Sequence, residues 1–190
     1  MSQILNPNSL DAYDYELPPE LIANFPIFPK EDARLLVYER ASEKISHLKF
    51  GDLPEILPPC DIIFNDTKVV KARIFGKKQS GGETELLLNS PLADGKFSVY
   101  IKGKVHAGSV LNFGENLTAE VCELFGDGSR TVKFSQNGEL LDAAALYRVL
   151  SRIGHVPLPP YIKRSDTKDD ESWYQSVFAK NEGAVAAPKA

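Results

Sequence analysis

A mixed α/β body interrupted by an all-β insert is the architecture this sequence predicts. Three observations carry it. Residues 69–135 break into six short apolar runs separated by glycine-bearing turns. Segments with helical character occur only on either side of that region. The chain has 190 residues, 43% hydrophobic and 25% charged, enough for one large domain or two small ones.

The elements follow in order. Pro18 and Pro19 suit a helix start and Pro26 a stop, so a short helix is expected near 18–24. Two β-rich runs, 34–39 and 45–50, flank a polar turn and read as a hairpin. "GDLPEILPP" suggests another short helix, and "CDIIFND" a buried strand that ends abruptly in polar residues. The six runs of the insert are "VVKARIFGKK", "ETELLLN", "KFSVYIK", "GSVLNFG", "LTAEVCELF" and "RTVKFS". Their spacing fits a small β-barrel or a sandwich. Residues 138–150 carry Leu140, Leu141, Ala144, Leu146 and Leu150 on much of one face, and read as a helix. Residues 167–180 read as a second helix, with acids in the first turn and Lys180 in the last. The organisation is therefore discontinuous: residues 1–68 with 150–190, and an insert over 69–149.

Composition excludes several classes. The net charge of −4 gives no global pull toward nucleic acid. A local basic run, "KVVKARIFGKK" at 68–78, carries five cations and no acid, and one basic face is enough for RNA. No apolar run reaches membrane-helix length, and the first residues lack a signal-peptide pattern. Cys60 and Cys122 sit in apolar segments and read as buried thiols in a reducing cytoplasm. There is no G-x-G-x-x-G after a strand, no P-loop and no G-x-S-x-G elbow. His47, His106 and His155 lack metal-ligand spacing with either cysteine.

Polar clusters at element ends remain, each with two readings. "FNDTK" places Asn65, Asp66 and Thr67 at the C-terminal end of the expected strand, where α/β sites form. The same residues also make Asx turns and helix caps. Asp32 and Arg34 could orient a ligand or form a surface ion pair. The basic run could track phosphates or protect an edge strand. "GHVPLPPYIKR" (154–164) has three prolines in four positions, so it is stiff and extended. It could serve as a rigid connector. It could also present His155, Tyr161, Lys163 and Arg164 in fixed directions, for base stacking and phosphate contact.

"YDYELPPELIANFP", "DARLLVYER", "FNDTKVVKARIFGKK", "GGETELLLNSPL", "GHVPLPPYIKR" and "YQSVFAKNEGAVAAP" occur together, in this order. In that order they resemble the S-adenosylmethionine:tRNA ribosyltransferase-isomerase family of queuosine biosynthesis, from about Tyr13 to Pro188. The resemblance implies an α/β (mixed α+β) catalytic domain interrupted by an inserted small antiparallel β-barrel. It implies transfer of the ribosyl part of S-adenosylmethionine onto 7-aminomethyl-7-deazaguanine in the tRNA anticodon, giving epoxyqueuosine and releasing adenine and methionine. S-adenosylmethionine is then a co-substrate, tRNA the partner, and no metal is required. A cytoplasmic protein, monomeric at full length and independent of membranes, is expected.

Two departures stand out. The family continues with Thr-Ala-Gly-Leu-His-Phe where this chain has Lys189 and Ala190, which reads as an N-terminal half. Lys68 stands where the family often has arginine, which keeps the charge and loses the planar fork.

Carried onto this sequence, the resemblance makes Asp66, His155 and Tyr161 the catalytic candidates. Asp66 would act as base or orient the incoming amine, and His155 and Tyr161 would line the cleft. Asn65 and Thr67 would position ribose hydroxyls, and Arg34 would orient a ligand. Lys71, Arg73, Lys163 and Arg164 would face RNA. Ala187 and Pro188 would form a close-packed turn. The competing reading is an RNA-binding module without catalysis, with salt-dependent affinity.

Overall fold

The computed structural model describes residues 6 and 8–186, so the turn expected at Ala187 and Pro188 lies outside the described residues. The chain divides into two compact units, Met1–Pro58 with Pro160–Arg164, and Pro59–Pro159 with Ser165–Ala190.

The first unit is built on the expected hairpin. Strand β1 (Arg34–Glu39) pairs antiparallel with β2 (Lys44–Lys49), Arg34 opposite Lys49 and Glu39 opposite Lys44. The turn between them closes with Glu43 in the left-handed region, φ 54°. Near 18–24 only one 3-10 turn forms, Pro19–Leu21. "GDLPEILPP" gives a 3-10 turn, Phe50–Asp52, that runs into the short helix α1 (Leu53–Ile56). Pro54 suits α1 because the first helical amides have no intrahelical partner to lose.

In the second unit, β3 (Thr67–Val69) precedes the barrel strands β4 (Arg73–Lys78), β5 (Glu83–Pro91), β6 (Phe97–Lys102), β7 (Val110–Asn112), β8 (Leu117–Leu124) and β9 (Ser129–Gln136). The hydrogen-bonded order β9-β6-β5-β4-β7-β8 closes through a β8–β9 pairing. All six neighbour pairs are antiparallel. Between the barrel and the sandwich that the spacing allowed, the structure is the barrel.

Alternation fills it, because successive strand side chains point to opposite faces. Leu86 and Leu88 of β5, Leu117, Ala119 and Val121 of β8, and Val132 and Phe134 of β9 point inward and are buried. Register shifts at Leu88/Ser90 and Val121/Glu123 add the local bends that closure needs. β4 has a partner on each side, β5 and β7, so its lysines do not guard an edge.

After β9, Asn137 and Gly138 both adopt positive φ (51° and 87°), the geometry of a two-residue hairpin turn. They fold β10 (Glu139–Leu140) back onto β9. The helix expected over 138–150 therefore starts later, as α2 (Ala143–Ile153). Its N-cap is Asp142, whose carboxylate accepts from the Ala145 amide at 2.7 Å. α2 buries Leu146, Val149 and Leu150 in the barrel's apolar core.

The helix expected over 167–180 reduces to α3 (Asp170–Trp173). Tyr174 leaves helical dihedrals (φ −87°, ψ 38°), and the chain runs on to β11 (Asn181–Ala184), which pairs parallel with β3.

Two further expectations are corrected. "CDIIFND" is not a strand: residues 60–66 have no regular structure, and Ile62, Ile63 and Phe64 are exposed. An isolated apolar run cannot be a strand without a neighbour to take its amides and carbonyls. Pairing begins only at Thr67. Nor is Cys60 buried. It is exposed, and Cys122 is half-buried.

Candidate functional site

Asn65, Asp66 and Thr67 lie at the start of β3, not at the C-terminal end of a strand. Asn65 Oδ1 accepts from the Thr67 amide at 2.9 Å and from Thr67 Oγ1 at 2.5 Å. That is an Asx turn, which directs the chain into β3. The Asp66 carbonyl accepts from the amides of Lys180 and Asn181 at 2.7 and 3.1 Å. Its carboxylate accepts from Asn181 Nδ2 at 2.9 Å and is otherwise exposed. The polar trio is thus tied to the approach to β11, through contacts more than a hundred residues apart in sequence.

His155 sits where α2 ends. Its amide donates to the Arg73 carbonyl at 2.7 Å, and the Arg73 amide donates to the His155 carbonyl at 3.3 Å. This isolated antiparallel bridge pins His155 to the start of β4. Its imidazole Nδ1 lies 3.1 Å from Asp166 Oδ1, while Asp166 Oδ2 accepts from the Val156 amide at 3.0 Å. The Phe75 ring meets the imidazole edge to face, centroids 5.0 Å apart.

His155 opens on a cleft of about 380 Å³, lined also by Lys71, Arg152, Asp166, Lys168 and Glu171. Charges of both signs surround it, mostly in pairs. Lys71 Nζ lies 2.7 Å from Glu171 Oε1. Arg152 grips Glu115 through Nε and Nη2, at 2.6–3.0 Å. These bonds hold the Glu115 carboxyl below its usual range. An adjoining cleft of about 200 Å³ shares Lys71 and Glu171 and adds Lys68, Tyr147, Gln175 and Glu182. Burial raises the Tyr147 hydroxyl above its ordinary range, and the Glu182 charge adds to this.

Arg73 does not stand free for phosphate. Its Nε lies 3.1 Å from Glu85 Oε1, and its Nη2 donates to the Leu158 carbonyl at 3.2 Å. Through that carbonyl it secures the proline segment, whose Val156 and Leu158 are buried. The chain passes from the second unit to the first between Pro159 and Pro160, inside this stiff stretch, and returns after Arg164. "GHVPLPPYIKR" therefore runs through both units, as a connector would.

Arg34, Tyr161, Lys163 and Arg164 belong to the first unit. Arg34 is exposed at the start of β1, beside a cleft of about 660 Å³ lined by His47, Lys49 and Asp52 among others. Asp32 pairs not with Arg34 but with Lys49, at 2.7 Å. Arg164 donates from Nε to the Asn24 carbonyl at 3.0 Å, and its guanidinium lies 4.5 Å from the centre of the Phe25 ring. Tyr161 and Lys163 are exposed. The other six candidates lie in the second unit.

Sequence reasoning missed Asp166, Arg152, Glu171 and Gln175. Glu171 stood among the acids in the first turn of the expected second helix, and Asp166 just before it. Nothing in their spacing pointed at His155 or Lys71. Among the described residues no three His, Cys, Asp or Glu side chains converge as metal ligands. No described helix is long and apolar enough to cross a membrane.

Comparison with known proteins extends the picture. Residues 10–190 match the protein family described as queuosine biosynthesis protein. An S-adenosylmethionine:tRNA ribosyltransferase-isomerase of Campylobacter fetus is 62% identical over 182 residues, 96% of this chain and 54% of that protein. The protein of the same name in Sulfurimonas denitrificans is 53% identical, across 94% of this chain and 53% of its own length. A crystal structure of an S-adenosylmethionine tRNA ribosyltransferase from Thermotoga maritima shares 32% identity, covers 79% of this chain and 51% of that one, and superposes with a TM-score of 0.36. The chain spans about half the length of the curated relatives it matches.

Proposed function

This chain belongs to the queuosine biosynthesis protein family, and on that premise we propose that it carries part of the active site of an S-adenosylmethionine:tRNA ribosyltransferase-isomerase. The reaction moves the ribosyl moiety of S-adenosylmethionine onto 7-aminomethyl-7-deazaguanine in a tRNA anticodon. Epoxyqueuosine forms, and adenine and methionine leave. In this reading the discontinuous body, 1–68 with 150–190, serves the chemistry, and 69–149 is the inserted barrel. The protein works on tRNA in the cytoplasm, as a monomer at full length.

The observation that carries the reading is the His155 cleft, a histidine held by strand, ring and carboxylate at the mouth of a charged cavity. The chemistry asks for such a group. The sulfonium acidifies the adjacent ribose carbon, and a base must take the proton. His155 is that base. Asp66, fixed by Asn181, orients the incoming amine, with Asn65 and Thr67 toward ribose hydroxyls. Tyr161, exposed at the end of the proline stretch, stacks on the unpaired target base, and Arg34, Lys163 and Arg164 meet the RNA backbone. Lys71 neutralises charge at the cleft. Arg73 serves as a strut for the segment bearing His155.

The test is turnover. This chain is incubated with S-adenosylmethionine and tRNA bearing the aminomethyl-deazaguanine base, and the digested tRNA is analysed by mass spectrometry beside a thermal melt. Epoxyqueuosine that disappears in His155→Ala is the expected result. A folded chain with salt-sensitive tRNA binding and no product would instead favour the binding module.

A further inference from the structure

We propose that Asp166 is a positioning residue that presents Nε2 of His155 as the proton-accepting atom of the cleft. The inference rests on the catalytic part given to His155 above.

The Asp166 carboxylate has both oxygens committed. Oδ2 accepts from the Val156 amide at 3.0 Å, and Oδ1 faces Nδ1 of His155 at 3.1 Å. Its side chain is only 15% exposed, so water does not compete freely for either oxygen. An ionised carboxylate accepts hydrogen bonds and donates none. In the neutral imidazole Nδ1 must therefore carry the hydrogen, which leaves the lone pair on Nε2. The bridge to Arg73 holds the His155 backbone, and Phe75 closes one side of the ring. Among the described residues Nε2 has no hydrogen-bond partner. Lys71 and Arg152, which line the same cleft, are each paired with a glutamate.

A carboxylate that only tied down the loop at Val156 would have the same bond to the amide. The Asp166→Asn variant separates the two roles. The Val156 N–H requires an acceptor, so Asn Oδ1 takes that place and the amide NH2 faces Nδ1. Nδ1 must then accept, and the hydrogen moves to Nε2. Size and the loop-holding bond are kept. The same logic governs the aspartate of the serine-protease triad, where the asparagine variant locks the wrong tautomer.

The experiment is a long-range proton–nitrogen correlation spectrum of the nitrogen-15-labelled chain at pH 8, with turnover measured on the same samples. The expected result is Nδ1–H in the wild type, Nε2–H in Asp166→Asn, and kcat lower by about 10²–10⁴-fold with KM for tRNA unchanged. Nε2–H in the wild type overturns the proposal with no variant needed. So does a tautomer switch that leaves kcat intact. If the wild-type chain shows no turnover at all, the reading of its activity fails, while the two spectra still decide whether Asp166 sets the tautomer.

Discussion

Gln175 presents its side-chain amide to the backbone of Val69 as a neighbouring strand would. Its Oε1 accepts from the Val69 amide at 2.9 Å, and its Nε2 donates to the Val69 carbonyl at 2.8 Å. Val69 is buried and ends β3, the strand that the Asx turn at Asn65 begins. The interaction spans 106 residues of sequence and ties the segment after α3 to the approach to the barrel.

Gln175→Ala should therefore leave a buried amide and a buried carbonyl without partners. The expected cost is about 1–3 kcal/mol. It is read as a lower urea midpoint, with faster exchange of the Val69 amide proton. Gln175→Glu keeps the acceptor but turns a second acceptor oxygen onto the Val69 carbonyl, so it should cost at least as much as Gln175→Ala. An unchanged midpoint in Gln175→Ala would mean that water replaces the side chain.

Gly154→Ala tests how tightly His155 is seated. A Cβ at Gly154 would stand 2.2 Å from the Lys71 carbonyl and 2.6 Å from the Leu150 carbonyl. The backbone there is ordinary, φ −83°, so the demand is for space alone. Both obstacles are backbone, so α2 must shift from the chain at Lys71. A loss of about 1–3 kcal/mol or more is expected in chemical denaturation. Turnover should fall with it, because the His155 bridge to Arg73 is the next residue along.

Phe134→Ala should test the barrel as the stable part of the second unit. The Phe134 side chain is fully buried and meets Phe97 edge to face, centroids 5.4 Å apart. A cavity of that size in the barrel's apolar core should cost about 3–5 kcal/mol in urea unfolding. A much smaller loss would show a barrel able to collapse around the gap.

Glu115 gives a pH prediction of definite sign. Hydrogen bonds from Arg152 hold its carboxyl below the ordinary 4.5 in the folded chain. A depressed folded value favours the ionised, folded form. The contribution is present above the unfolded value and fades as pH falls through the folded one. Glu115→Gln should lower stability at neutral pH, and its curve should begin to converge on that of the wild type as pH falls below about 4.5, merging only once pH is below the depressed folded value. The pair is exposed, so the difference should be small and should shrink in high salt. Curves that run parallel down to pH 2 would show that the pair contributes nothing.

The hairpin and the barrel strands were legible because each is written locally. Alternating apolar residues define one face of β5, β8 and β9. The "NG" at 137–138 was equally local, but the apolar stripe that follows it masked the turn. The acidic start of 167–180 read as a helix because nothing nearby announced that Gln175 would be diverted to Val69. The apolar run 62–64 read as a strand because composition records hydrophobicity and not the presence of a neighbour.

The amino-acid sequence by itself determined the six-strand all-β region, the order of the motifs and the kinship they carry, since turns and alternation act over a few residues. Only the tertiary structure decided which charges meet. It set Asp166 against His155, Glu171 against Lys71 and Glu85 against Arg73, and laid β11 parallel to β3 across more than a hundred residues. Such pairings depend on where closure of the barrel brings distant backbone together, and no local periodicity encodes that.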